Sequence, residues 1–222
     1  MFMRFTHLAA PLLLAGIALP AQAGDWSLGA NASTLGLGVE VGYGFNDRFG
    51  VRLGGYAFSI DDSGEEEGIR YDGDLDLSNI GAYLDFHPFA GAFRLSAGWF
   101  ATDNGVDVVG KPGAGGTYDI GGVSFTAAEV GTLRGAVDMG SSAPFLGLGW
   151  AWGKADQGLS WSFDLGVLFQ GSPDIALTST GGTLSDEPAL QDAIATEEAE
   201  LTDDIDQYDL YPVVSLGVSY RF

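Results

Sequence analysis

The sequence predicts an all-β fold, an eight-stranded antiparallel up-and-down transmembrane β-barrel with long extracellular loops and short periplasmic turns. Three observations carry that expectation. Apolar residues alternate with small or polar ones at period two through most of residues 24–222. Each alternating run has about the 9–11 residues of a tilted bilayer-spanning strand. Short turns alternate along the chain with much longer connections, an asymmetry of membrane barrels. Composition agrees with this reading. The 222 residues include 35 glycines, 14 phenylalanines and no cysteine. So many aromatic and β-branched residues exclude disorder, and the lack of cysteine excludes a disulfide scaffold or a thiolate metal site. Nine Lys+Arg against 30 Asp+Glu leave a net charge of -21. A surface this acidic repels phosphates, so nucleic acid is not an expected partner.

Arg4 and the amino terminus form a short positive region, followed by the apolar stretch Leu8 to Leu19 and by Ala21-Gln22-Ala23, an A-x-A cleavage pattern. The apolar stretch is too short to cross a bilayer as a helix. Residues 1–23 are therefore expected to be a signal peptide, removed on export across the inner membrane. Residues 24–222 form the outer-membrane β-barrel, and no later segment is apolar enough for a membrane-spanning helix.

The first strand, about 25–32, carries Trp26, Leu28, Ala30 and Ala32 on even positions. From Leu35 the apolar residues sit on odd positions (Leu37, Val39, Val41, Tyr43, Phe45), which makes 35–45 the second strand. A two-residue hairpin at Ser33-Thr34 flips parity in this way, and so would a bulge in one long strand. The hairpin is preferred because it makes the strand number even and puts both termini on the periplasmic side. Asn46-Asp47-Arg48 turns into the third strand, 49–60, with Phe49, Val51 and Leu53 on one face; the ambiguous parity beyond Gly54-Gly55 suggests a bulge there. The fourth strand, 75–87, carries Ile80, Ala82, Leu84 and Phe86, and His87 to Ala92 turns into the fifth, 92–102, with Phe93, Leu95, Ala97 and Trp99. The sixth, 144–153, and the seventh, 158–170, flank a turn at Lys154 to Gln157. The eighth, 210–222, alternates Pro212, Val214, Leu216, Val218, Tyr220 and Phe222 with Ser215, Gly217, Ser219 and Arg221. A soluble β-sandwich would alternate similarly. A glycine-rich, charge-bearing face is a poor exterior for such a sheet and a good interior for a narrow barrel. The aromatics near the turns sit where membrane girdles do.

With these strands, Ala21-Gln22-Ala23 and the terminal Ser219-Tyr220-Arg221-Phe222, the chain resembles the small barrels of the outer membrane protein A and outer membrane protein W families. The resemblance implies an outer-membrane location and makes Tyr220 and Phe222 the aromatic signal read by the barrel-assembly machinery. That machinery and the periplasmic chaperones would be partners during biogenesis. The resemblance specifies location and fold, not activity. Nothing like the peptidoglycan-binding domain of the protein A family follows Phe222, so cell-wall anchoring is not implied. The protein W family has a narrow apolar lumen; this chain departs from it, because its lumen carries charges.

The inward face is expected to hold Glu40, Arg52, Tyr83, Asp85, Arg94 and Asp164. Folding the 87–92 turn symmetrically sets Asp85 opposite Arg94. Folding the 46–48 turn sets Arg52 opposite Gly42, one diagonal step from Glu40. Asp164 has no evident cation and is left to water or Arg52. Such charges make either a selective polar path or a structural plug of pairs. The small radius of eight strands favours the plug.

Acids concentrate in the long connections, eight in 61–76 and ten in 183–209. They repel one another and lipopolysaccharide phosphates unless cations intervene. Asp72, Asp74 and Asp76 form one weak divalent candidate, and Asp203, Asp204 and Asp206 (with Asp209) a second. The first lacks the turn glycine and distal glutamate of an EF-hand loop. Ser185 is a candidate cap for a helix bearing Leu190, Ile194, Leu201 and Ile205. Thr117 to Phe125 reads as a hairpin around Gly121-Gly122, and Thr126 to Glu129 as a capping box. Catalysis is not expected. His87, the one histidine after the leader, sits beside Pro88 in a periplasmic turn, no spacing singles out an acid/base pair, and no cofactor motif is present. The expected role is membrane structure or surface interaction by a monomer in contact with outer membrane lipid and lipopolysaccharide. The alternative is a narrow pore for small solutes.

Overall fold

The structure, a computed structural model, describes residues 26–66, 69–112, 116–153, 157–205 and 209–222. The expected signal peptide, most of the Lys154–Gln157 turn, Glu67 and Asp206 lie outside the described residues. The barrel strands are β1 (Trp26–Ser33), β2 (Gly36–Gly44), β3 (Phe49–Glu66), β4 (Ile69–Phe86), β5 (Phe93–Pro112), β9 (Ser142–Gly153), β10 (Gly158–Phe169) and β12 (Leu210–Arg221). Each is antiparallel to its neighbours, and β12 pairs back onto β1 to close the ring. Closure leaves no sheet edge in the spanning part, so its backbone groups find partners without water.

The parity switch near residue 34 is a hairpin, as expected, but its turn is Thr34-Leu35, because Ser33 already pairs with Gly36. Gly36 takes a φ of 110°. Leu35 thereby leaves the lipid-facing row and is buried at 1% exposure among lumen residues. No bulge follows Gly54-Gly55. The β2–β3 register runs unbroken from Leu37↔Ala57 to Gly44↔Gly50, and the β3–β4 register from Phe49↔Phe86 to Glu66↔Ile69. The parity looked ambiguous because Tyr56 turns into the lumen and Phe58 and Ile60 continue on the same inner face.

β3, β4 and β5 extend well past their expected ends, so 61–66 and 69–73 belong to paired strands rather than to a loop. Along these strands the polarity of the two faces inverts. Below the lateral row Ala57–Ser78–Asp103, the outer face carries Val51, Leu53, Ile80, Leu84, Leu95 and Trp99. Above that row the same face carries Asp61, Asp74, Asp76 and Asp107, while the inner face carries Phe58, Ile60, Leu75, Leu77 and Val106. Hydrocarbon outside the lower part and water outside the upper part account for the change.

At the loop end β5 exchanges partners. It pairs with β9 up to Ala101↔Ser142, and from Gly105↔Asp138 with β8 (Gly131–Asp138). β8 then pairs with β11 (Asp174–Gly181). The result is a flap, β3-β4-β5-β8-β11, rising above one side of the ring. The expected hairpin is β6 (Thr117–Ile120) and β7 (Val123–Thr126), and it is followed by a helical turn, α1 (Ala127–Val130). The helix α2 (Pro188–Ile205) packs with them. Tyr118, Ile120, Phe125, Val130, Leu190 and Ile194 form their core, against Leu133 and Leu177 of the flap. Ser185 does not cap α2, which begins at Pro188. Its hydroxyl accepts from the Gly182 N–H at 2.9 Å and tightens the preceding turn.

Candidate functional site

Strand alternation sends the even residues of β2, β3, β5 and β10 and the odd residues of β4 and β12 into the lumen. That geometry brings together Glu40, Arg52, Asp85, Arg94 and Asp164 in one layer. Arg52 lies opposite Gly42 and beside Glu40, but the expected Asp85–Arg94 pair does not form. Asp85 lies opposite Ser96, and Arg94 opposite Gly149 of β9, because the β4–β5 turn is longer and less symmetric than assumed. Asp85 therefore takes Arg52, whose Nε lies 2.6 Å from Oδ2 and Nη2 3.1 Å from Oδ1. Arg52 Nη1 also donates to Glu40 Oε2 at 2.9 Å. Arg94 forks onto Asp164, with Nη2 2.7 Å from both carboxylate oxygens. Arg52 Nη2 and Asp164 Oδ1, 3.9 Å apart, join the two halves.

Three carboxylates thus face two guanidiniums. Hydroxyls meet the remaining acceptor capacity. Ser96 Oγ donates to Asp85 at 2.5 Å and the Tyr56 hydroxyl to Glu40 at 2.5 Å. Because Tyr56 spends its only hydrogen on Glu40, the 2.7 Å contact between the Tyr56 and Tyr83 hydroxyls is donated by Tyr83. The Tyr83 ring lies beneath the Arg52 guanidinium, 4.4 Å from its centroid, a cation–π contact.

Toward the loop end the lumen is filled by rings. Tyr83 meets Phe100 and Phe145 edge-on, each at 5.2 Å, and Phe100 and Phe145 are 5.8 Å apart. Leu35, Leu168 and Val213 complete this cluster. The inward glycines make the room. A Cβ on Gly81 would come within 2.5 Å of the Phe100 ring and one on Gly147 within 2.6 Å of Phe145; Gly166 lies under Phe145 as well. Higher still, Asn79 and Asn104 exchange amide hydrogen bonds of 2.9 and 3.0 Å. The void between the charge and ring layers is about 10 Å³. On the other side of the charges a vestibule of about 740 Å³ opens at the turn end, lined by Ser27, Asn31, Ser160, Ser219 and Arg221.

Sequence reasoning missed Tyr56, Phe100 and Phe145, because it assigned aromatics to the lipid face. The available signal was parity, since Tyr56 shares the register of Arg52 and Gly54. His87 lies in the turn at the vestibule mouth, where its N–H donates to the Arg48 carbonyl at 2.7 Å. Burial lowers its imidazole below the ordinary value.

The divalent candidates sit apart from this lumen site. Asp72, Asp74 and Asp76 share the outer face of β4, where Asp74 lies opposite Asp61 on one side and Asp107 on the other. A hydrogen bond that the protonated Asp74 donates to Asp61 pushes its carboxyl above the ordinary value, and desolvation and then the charges of Asp61, Asp107 and Asp76 add to this. Asp203 and Asp204 are on the last turns of α2, and Asp206 is outside the described residues. Among the described residues, no group of three or more His, Asp or Glu has metal-holding geometry. Tyr220 and Phe222 meet edge-on at 5.2 Å at the turn end, and the Phe222 N–H donates to the Trp26 carbonyl at 3.0 Å.

No protein-family model matches the chain, and no curated protein sequence does. Solved structures do. Acinetobacter baumannii CarO superposes with a TM-score of 0.58 at 24% identity, over 90% of this chain and 98% of that one. Acinetobacter baumannii CarO2 superposes with a TM-score of 0.61 at 23% identity, over 90% of this chain and 100% of that one. Closed ring, strand number and neighbours agree: the chain has the fold of a small eight-stranded outer membrane barrel.

Proposed function

We propose that this chain is an integral outer membrane protein with its turn end in the periplasm, a closed lumen and a structural or surface-interaction role exerted by the flap. One observation carries the closed lumen: two stacked layers, ion pairs and then rings, with a void of about 10 Å³ between them. That void has room for about one water, so no file of hydrated ions fits through it. The layers are also costly to part. Each guanidinium is shared with carboxylates on other strands, and separating a buried pair leaves uncompensated charge. The reading assigns no catalytic step. It keeps the signal peptide at 1–23, the assembly role of Tyr220 and Phe222, and lipopolysaccharide as the lipid contact.

The test is planar-bilayer recording on the refolded chain, with heat-modifiable gel mobility as the check on folding. A folded barrel that gives no regular current steps supports the reading. Regular steps would favour the second reading, a narrow pore, for which the 740 Å³ vestibule would be the entrance.

A further inference from the structure

We propose that the free edge of β3, residues 58–64, is a docking site for an extended cationic peptide segment, which adds to the flap as a further strand. The proposal deepens the surface-interaction reading and rests on it for the side of the membrane that the edge faces.

The edge exists because the two partners of β3 differ in length. β2 pairs with it only as far as Leu37↔Ala57, whereas β4 follows it to Glu66. Beyond Ala57 no strand lies on the β2 side among the described residues. The Ser63 N–H shows the consequence, since it donates to the side chain of its own neighbour, Asp62, at 2.9 Å. Alternation aims the amides of Ser59 and Asp61 to the same open side.

The flap's other outer strand is treated differently. On β11 the Leu177 N–H is taken by Glu198 of α2 at 2.6 Å, so a helix covers that edge. Uncovered edges are templates for strand addition, and proteins ordinarily shorten or cover them.

Both faces of the edge specify what would add to it. On the inner face Phe58 and Ile60 are 43% and 51% exposed, beside Leu77 and Leu75 of β4. On the outer face Asp61 is backed by Asp74 and Asp76, while Asp62 follows Ile60 on the inner face and is exposed at its rim. A strand with apolar residues on one face and lysine or arginine on the other satisfies both. A second copy of this chain does not, because edge-to-edge pairing would set Asp61 and Asp62 against each other. Backbone hydrogen bonds would supply general affinity, and the alternating side chains the selection.

The probe is a fluorescent peptide that alternates lysine and valine, titrated by anisotropy onto the folded barrel in detergent micelles. Saturable binding is expected, with slowed hydrogen exchange at Ser59, Asp61 and Ser63. Ser59→Pro, which removes an edge donor, and Asp61→Asn with Asp62→Asn should each weaken binding about tenfold or more with heat-modifiable mobility unchanged. Should the proline variant not fold, Phe58→Ser with Ile60→Ser tests the same contact without a backbone change. Equal binding of a peptide with its lysines and valines in separate blocks overturns the proposal. So does no binding, insensitivity to these variants, or pairing of the chain with itself through this edge. Orientation is read separately: a Ser63→Cys variant on intact cells should react with an impermeant maleimide, whatever the peptide does.

Discussion

Arg94 reaches over Gly149 of β9 to Asp164, and one guanidinium nitrogen lies 2.7 Å from both carboxylate oxygens. The two residues are 70 positions apart in sequence, on strands that do not pair with each other. Removing the cation leaves Asp164 facing Arg52 only at 3.9 Å. Arg94→Ala is therefore expected to cost about 3–5 kcal/mol of folding stability, read by urea unfolding of the barrel in vesicles. Arg94→Ala with Asp164→Ala should recover part of that loss. A steady ion current from Arg94→Ala with unchanged unfolding would show that the pair gates a path instead.

The rings and their glycine floors make a second expectation. Gly166 lies directly beneath Phe145. Gly166→Ala overpacks that layer and should cost about 1–3 kcal/mol. Emptying the layer with Phe100→Ala and Phe145→Ala together should destabilise the barrel without opening it, because the ion pairs remain. Single-channel recording checks the last point.

The Asp61–Asp74 contact makes the flap sensitive to pH. The Asp74 carboxyl is held above its ordinary 3.8, chiefly by its hydrogen bond with Asp61. The folded flap therefore holds this proton more tightly than the unfolded chain does. Its stabilising contribution is complete at pH below the ordinary value and is lost as pH rises through the raised one. Protection from hydrogen exchange at the β3–β4 tip, taken relative to the intrinsic rate at each pH, should fall on going from acid to neutral pH, and Asp74→Asn should flatten that dependence. Glu129 behaves oppositely. Its carboxylate accepts from the Thr126 backbone N–H at 2.7 Å, which lowers its value, so its contribution to α1 is lost as pH falls through the lowered one.

Gly36 offers a test of the first hairpin. Its φ is 110°, and a Cβ there would lie 2.5 Å from the Ala57 carbonyl oxygen. Gly36→Ala should cost about 1–3 kcal/mol and slow the appearance of the heat-modifiable form. Thr34→Ala, which loses a 2.9 Å bond to the Pro212 carbonyl at the surface, should cost less.

Much of the ring was legible because lipid imposes a strict rule on each strand. Phe49, Val51 and Leu53 could only belong to an outward row, and the turns at 46–48 and 87–92 could be placed from it. Alternation also identified which charges point inward, since Glu40, Arg52, Asp85, Arg94 and Asp164 sit at the same parity as glycines. Which carboxylate meets which guanidinium was not legible. That depends on the stagger of neighbouring strands, so Asp85 found Arg52 on the adjacent strand β3, where Arg52 lies opposite Tyr83, and not the Arg94 that the local turn had suggested. The flap was hidden for a different reason. Its strands keep period two but exchange which face is greasy, and runs such as Asp72-Gly73-Asp74-Leu75-Asp76 read as loop when only outward apolar residues are sought. The turn at Thr34-Leu35 was displaced by one because Leu35 looks like a lipid-facing residue and is instead a lumen plug.

β3 and β4 pair without interruption from the turn at 46–48 to the tip at Glu66 and Ile69. Eighteen consecutive rungs at about 3.4 Å each make a ribbon about 60 Å long, measured along its tilted strands. It has no joint at the waterline. A load on the tip is therefore passed along continuous hydrogen-bonded strands into the ring instead of folding a flexible arm.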